Sequence, residues 1–140
     1  MNIRPVTSGS NKYCGPAVLS SLLGIDTGEA ARRIRSVSGR KAIKSTYTWE
    51  LIKVLDAAGY SVKTALSPSK KDRPTLAGWL KKSVDDRTAG RVFLILAGHH
   101  YQLISGRRYV CGITKNIVSV RDKQVRRRAR VERVWEILAQ

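Results

Sequence analysis

The chain has 140 residues, 42% of them hydrophobic, enough for a single domain over residues 1–140 that needs neither a metal nor a disulfide framework to fold. No apolar window reaches the roughly 18 residues of a membrane span, residues 1–10 lack the apolar stretch of a secretory signal, and two cysteines, Cys14 and Cys111, fit a reducing, cytoplasmic setting. Lys and Arg number 27 against 10 acids, a net charge of +17 that draws polyanions such as nucleic acid, an anionic membrane surface or an acidic protein.

Cys14 to Gly24 reads as a helix. Pro16 lies in its first turn, where a missing amide proton costs nothing, and Gly24 supplies the stop. The segment is apolar almost all round, the pattern of a buried helix. Asp26-Thr27-Gly28-Glu29 forms a capping box ahead of a second helix, Ala30 to Val37, ended by Gly39. Ser45 to Thr48 cap a third, Trp49 to Ala58, in which Trp49, Leu51, Ile52, Val54 and Leu55 recur at helical spacing. Tyr60 to Leu66 alternates like a strand, residues 67–75 are a polar loop, and Thr75 to Val84 is a short amphipathic helix with Leu76, Trp79 and Leu80 inward. Trp49, Trp79 and Trp135 are all expected in the core.

Beyond Gly90 the character changes. Val92 to Leu96 is a continuous apolar run, the mark of a strand covered on both faces. His100 to Ile104, a turn at Ser105-Gly106, and Arg107 to Cys111 read as a tight hairpin. Ile117 to Arg121 is a further strand. Val131 to Leu138 fits either period, with strand favoured by the alternation of Val131, Arg133, Trp135 and Ile137. Helices first and antiparallel strands afterwards make the class α+β.

A cysteine in the first turn of a buried helix is chemically special. Unpaired amide protons and a partial positive charge favour the thiolate, which is the nucleophile. A nearby imidazole can serve as its base or as an ion-pair partner. His99 and His100 follow Cys14 by 85 and 86 residues at the start of a strand. A strand alternates its faces, so only one of them can look at Cys14, and periodicity alone does not choose.

Asn11-Lys12-Tyr13-Cys14-Gly15-Pro16-Ala17, followed by helices and then Ala97-Gly98-His99-His100-Tyr101, resembles the papain-like cysteine peptidase superfamily. The likeness is to its small forms related to bacteriocin-processing peptidases and to short phage and prophage proteins, and it covers roughly residues 8–138. It implies a papain-like fold with N-terminal helices packed on a C-terminal antiparallel sheet. It implies a cysteine hydrolase, a peptidase or amidase acting on a peptide or protein substrate, with Cys14 as nucleophile. The Gly-His step of the motif favours His99 as base, while the papain spacing to the next glycine makes His100 the alternative base. The sequence departs from the family elsewhere. No glutamine precedes the cysteine to complete an oxyanion hole, and Ser8, Ser10 and Asn11 are the only candidates, with Asn11 three residues ahead of Cys14. Asn116 has the papain-like separation for the residue that orients the imidazole, 16 or 17 residues after the histidine. A two-residue hairpin centred on Ser105-Gly106 instead sets the histidine opposite Cys111 or Gly112, neither a carboxylate nor an amide. The site is then a dyad, uses Asn116 through a longer or bulged hairpin, or is degenerate.

No cofactor is expected. Two cysteines and two histidines lack the short-range spacing of metal ligands, and Ser38-Gly39-Arg40-Lys41 is too short for a phosphate loop. The densest basic run is Arg121, Lys123, Arg126, Arg127, Arg128, Arg130 and Arg133, within a segment spanning 121–133. Like charges so close repel and call for a polyanionic partner. Without interleaved aromatics, the contact expected is with a nucleic-acid backbone and not with bases. That supports a second expectation: a catalytically silent papain-like module acting as a basic structural or nucleic-acid-associated protein, virion-associated within a phage assembly.

Overall fold

The computed structural model describes residues 2–88 and 90–140. The first helix, α1 (Cys14–Leu23), follows an extended Tyr13 and stops at Gly24, whose φ of 69° a residue with a Cβ rarely adopts. Helix α2 (Thr27–Ser38) is capped by Asp26, whose carboxylate accepts the Glu29 N–H at 2.8 Å. Helix α3 (Thr48–Ala57) begins after Tyr47, and the Glu50 carboxylate reaches back to the Tyr47 N–H at 2.8 Å. Strand β1 (Tyr60–Leu66) follows, then α4 (Leu76–Lys82) with Thr75 as its cap. The chain ends in β2 (Val92–Ala97), β3 (His100–Ser105), β4 (Arg108–Cys111), β5 (Val118–Ser119) and β6 (Val131–Ala139).

The strands form one antiparallel sheet in the order β1-β6-β2-β3-β4-β5. The segment that fitted either period in sequence becomes β6, a central strand between β1 and β2. Its position explains the choice. A strand there satisfies the backbone groups of β2 on one side and β1 on the other, which a helix would leave unpaired.

Each face of the sheet has its own cover. Val92, Leu94, Tyr101, Leu103, Val110, Trp135 and Ile137 face α1, α2 and α3. Phe93, Ile95, Ala97, Ile104, Tyr109 and Cys111 face α4 and the 120–130 segment, where Trp79 meets Phe93 edge to face at 5.8 Å. The continuous apolar run of β2 is thus explained by burial on both sides. Trp79 and Trp135 lie in the core, but Trp49 does not: it is 47% exposed, with Lys53 Nζ 5.8 Å from its ring centre. Leu51, Val54 and Leu55 fill the inward stripe of α3, which leaves the Trp49 ring on the outer side.

The β3–β4 turn differs from expectation by one residue. Ser105 pairs with Arg108, so Gly106 and Arg107 are the central residues, and the φ of 60° at Gly106 fits glycine at the first central position. Among the described residues no helix is long and apolar enough to cross a membrane.

Candidate active site

Three segments converge on Cys14. Its thiol opens α1 and is half-buried. Gly15, the next residue, lies under the 39–47 loop so closely that a Cβ there would overlap the Thr46 side chain. Gly112, just past β4, packs the other side: a Cβ there would sit 3.6 Å from the Cys14 Cα and 3.1 Å from the Ala17 Cβ. These two glycines bring a loop and the end of β4 against the first turn of the helix.

The histidine beside the thiol is His100, not His99. Ala97 pairs with His100, leaving Gly98 and His99 as the central residues of a two-residue turn with φ of 57° and 59°. Both positive values match a type I′ turn, and histidine tolerates that region better than most residues. The His99 side chain is 89% exposed, and its Nδ1 lies 3.3 Å from Glu132 Oε2, the oxygen that also accepts the His99 N–H at 2.8 Å. The base expected at position 99 is therefore a turn residue braced by Glu132. The alternative, His100, is the first residue of β3 and is half-buried.

The His100 imidazole is close enough to the thiols of Cys14 and Cys111 for each to shift its ionisation. Burial opposes its charge, yet the thiols of Cys111 and Cys14 beside it lift its pKa from 6.5 to about 9. Reciprocally, burial pushes the Cys14 thiol up, but the His100 imidazole and the backbone amides of Tyr101 and of Cys14 itself outweigh it and leave the pKa below 9.0. Cys111 behaves likewise: burial is overcome by His100, the Thr114 amide and the Tyr109 hydroxyl, giving a pKa of about 7. His100 Nε2 is buried with no hydrogen-bond partner, so the ring is held by packing and charge and not by an aligned acceptor.

The expected third member falls elsewhere. Asn116 is exposed on the loop after β4, where its backbone bonds to Thr114, and it makes no bond to His100. A tight turn at Gly112 to Lys115 carries it past the ring: the Lys115 N–H returns to the Cys111 carbonyl at 2.9 Å. Asn11 is tied into the structure: its Nδ2 donates to the Ile43 carbonyl and its Oδ1 accepts the Tyr13 N–H, each at 2.9 Å, which fixes the side chain between the 39–47 loop and the start of α1. Ser8 and Ser10 are exposed. Backbone donors for an oxyanion are present in the amides at the start of α1, ahead of the first intrahelical bond from Ala17 N to Tyr13 O.

Cys111 is the site residue that motif reasoning missed. The hairpin put it near position 100, but its thiol was discounted as neither carboxylate nor amide. Register explains the neighbourhood: Cys111 pairs with Gln102, two residues along from His100, so all three side chains share a face. Behind them Gln102 is pinned, donating to the His100 carbonyl at 3.0 Å and accepting the Tyr109 hydroxyl at 2.7 Å.

The Tyr101 and Thr48 hydroxyls lie 2.7 Å apart, tying β3 to the start of α3, and Tyr47 and Trp49 on either side of Thr48 are exposed at 58% and 47%. Glu50, with no exposed side-chain area, receives Arg40 Nη2 at 2.7 Å and Nε at 3.0 Å and so closes the 40–50 loop.

No protein-family model matches the chain. No curated protein matches it in sequence. Solved structures do match in fold. The peptidase domain of Streptococcus ComA, a bifunctional ABC transporter of a quorum-sensing pathway, is similar with a TM-score of 0.60 and 14% identity, covering 99% of this chain and 100% of that one. A double-glycine-motif protease from an AMS/PCAT transporter, solved in complex with its leader peptide, is similar with a TM-score of 0.58 and 12% identity, covering 99% and 93%. The chain has the α+β fold of these papain-like peptidase domains.

Proposed function

We propose that the chain is a cysteine hydrolase of peptide bonds, with Cys14 as nucleophile and His100 as its base. The observation that carries this is the half-buried thiol at the start of α1 with an imidazole beside it, the two groups shifting each other's ionisation toward the thiolate–imidazolium pair. The thiolate attacks the carbonyl carbon, and the backbone amides of the first turn receive the developing negative charge on oxygen. As the C–N bond breaks, imidazolium donates its proton to the departing amine. Water, deprotonated by the now neutral His100, then hydrolyses the thioester and restores the thiol pair.

The leader-peptide complex of the similar protease supports a peptide as substrate class. Tyr47 and Trp49, exposed at the start of α3 where Thr48 meets Tyr101, supply apolar surface for its side chains. The test is labelling with an acyl-mimicking thiol probe together with cleavage of peptides that carry a Gly-Gly step. Labelling of Cys14 no faster than that of a denatured control would count against the proposal.

One observation favours a second reading, a catalytically silent papain-like module. The buried His100 Nε2 has no hydrogen-bond acceptor, so the side chain that would orient the imidazole of a papain-like site is not in position. A phage or virion setting rests on the sequence resemblance alone.

A further inference from the structure

Of the chain's ten acids only Asp122 lies between Arg107 and Arg130, and its carboxylate accepts from Gln124. Among the described residues, every carboxylate in an ion pair binds Arg32, Arg33, Arg40, Arg91 or His99. None reaches the cations between Arg107 and Arg130. Two of those cations, Arg107 and Arg121, line a cleft of about 690 Å³ at the end of the β3–β4 hairpin, between the segment after α4 and the start of the 120–130 loop.

Three guanidinium-bearing residues line it: Arg87, Arg107 and Arg121, with Ser119 between them and no carboxylate in the lining. Arg87 is held in place by neutral acceptors. Its Nε donates to Ser83 Oγ at 3.0 Å, its Nη2 to the Leu80 carbonyl at 3.0 Å, and its Nη1 to the Gly106 carbonyl. Burial and the nearby charge of Arg107 both pull its pKa down, the signature of cations gathered without an anion. Arg107 and Arg121 are exposed, as are Lys123, Arg126, Arg127 and Arg128 further along the segment, which by Arg130 has reached the Gly98 turn. Unpaired cations held this close raise the free energy of the fold unless a polyanion joins them.

We infer that this cleft binds the phosphate backbone of a nucleic acid. Guanidinium forks match phosphate oxygens two at a time. A strip of cations running from the cleft along the loop suits regularly spaced charge better than an isolated anion. No aromatic side chain lines the cleft, so the contact reads backbone and not sequence. The cleft lies at the opposite end of β3 from His100, about 20 Å away at strand rise, so it is separate from the thiol site.

The experiment is fluorescence anisotropy with a labelled 20-base-pair duplex over a salt series. Wild-type protein should bind at about 50 mM salt and lose affinity steeply by about 200 mM. The double variant R107A/R121A, altered only at exposed side chains, should weaken binding about tenfold or more and flatten the log–log salt slope by about 2. R35A/K53A removes the same charge from the α2–α3 layer on the other face of the sheet and should bind within about twofold of wild type. Equal losses in the two variants would mean a diffuse charge effect and overturn the inference. So would failure to bind duplex at low salt, or tighter binding to poly-glutamate than to duplex, which would point to an acidic protein. Unchanged alkylation of Cys14 in R107A/R121A verifies that the variant is folded and that the two sites are independent.

Discussion

Replacing His100 by alanine tests the pairing at the centre of the molecule. The rise of His100 from 6.5 to about 9 corresponds to roughly 3 kcal/mol in favour of imidazolium, at about 1.4 kcal/mol per unit. Cys111 is the larger of the two thiol influences on His100 and Cys14 the smaller, and Cys111 in turn falls from 9.0 to about 7 with help from the Thr114 amide and the Tyr109 hydroxyl. In His100→Ala the burial of Cys14 is no longer opposed by a cation, and its alkylation midpoint should move from below 9.0 to above it. At pH 7.5 the carbamidomethylation rate should drop by about tenfold or more, because only the thiolate reacts. The assay is iodoacetamide labelling from pH 5 to 10 with peptide mass analysis, which separates Cys14 from the buried Cys111. His99→Ala is the matched control. An unchanged midpoint in His100→Ala, or an equal shift in His99→Ala, would falsify the assignment of the base.

Other consequences follow from the same geometry. In Cys111→Ser the imidazole loses the larger of its two thiol partners, so the His100 C2–H titration followed by proton NMR should fall from about 9 toward 6.5. Glu50 is a depressed carboxylate: burial raises its pKa, but Arg40 and the Tyr47 amide lower it further. Its contribution to stability is therefore complete above 4.5 and lost as pH falls through the lower folded value. Glu50→Gln should cost about 1–3 kcal/mol at pH 7 in urea unfolding and lose less further stability on acidification than wild type does. Gly15→Ala forces the Thr46 side chain aside and should cost about 1–3 kcal/mol in the same assay, with altered Cys14 labelling. If peptides bind against the exposed Tyr47 and Trp49, Trp49→Ala should raise KM severalfold and leave kcat nearly unchanged.

Local signals made much of the architecture legible. Asp26, Gly24, Gly39 and the Pro16 position mark helix ends through rules that act within a few residues, and α1, α2 and α3 lie close to where those rules put them. The apolar run from Val92 reads as a doubly covered strand, and it is one. Trp49 was misjudged because helical spacing reports which residues share a stripe, while the neighbours decide how wide a stripe is covered.

The site was legible only in part, for a related reason. Cys14 at a helix start is a local fact, written in the Cys-Gly-Pro order and in the stop ten residues later. The choice between His99 and His100 is not local. It was made by a two-residue turn that put one ring in solvent against Glu132 and the next beside the thiol. Cys111 and Asn116 were exchanged in the same way: strand register brought the thiol to the imidazole's face, and a tight turn took the amide past it. Charge was countable from composition, but which cations lacked partners was not, since carboxylates from α3 and β6 reach cations on other segments. The sequence by itself determined most of the elements, their main apolar stripes and the place of Cys14 at a helix start, all matters of short-range sterics and periodicity. Only the tertiary structure decided which histidine meets it, what else lies near that ring, and where the unpaired charge collects, because each depends on contacts between segments that a chain of local preferences does not encode.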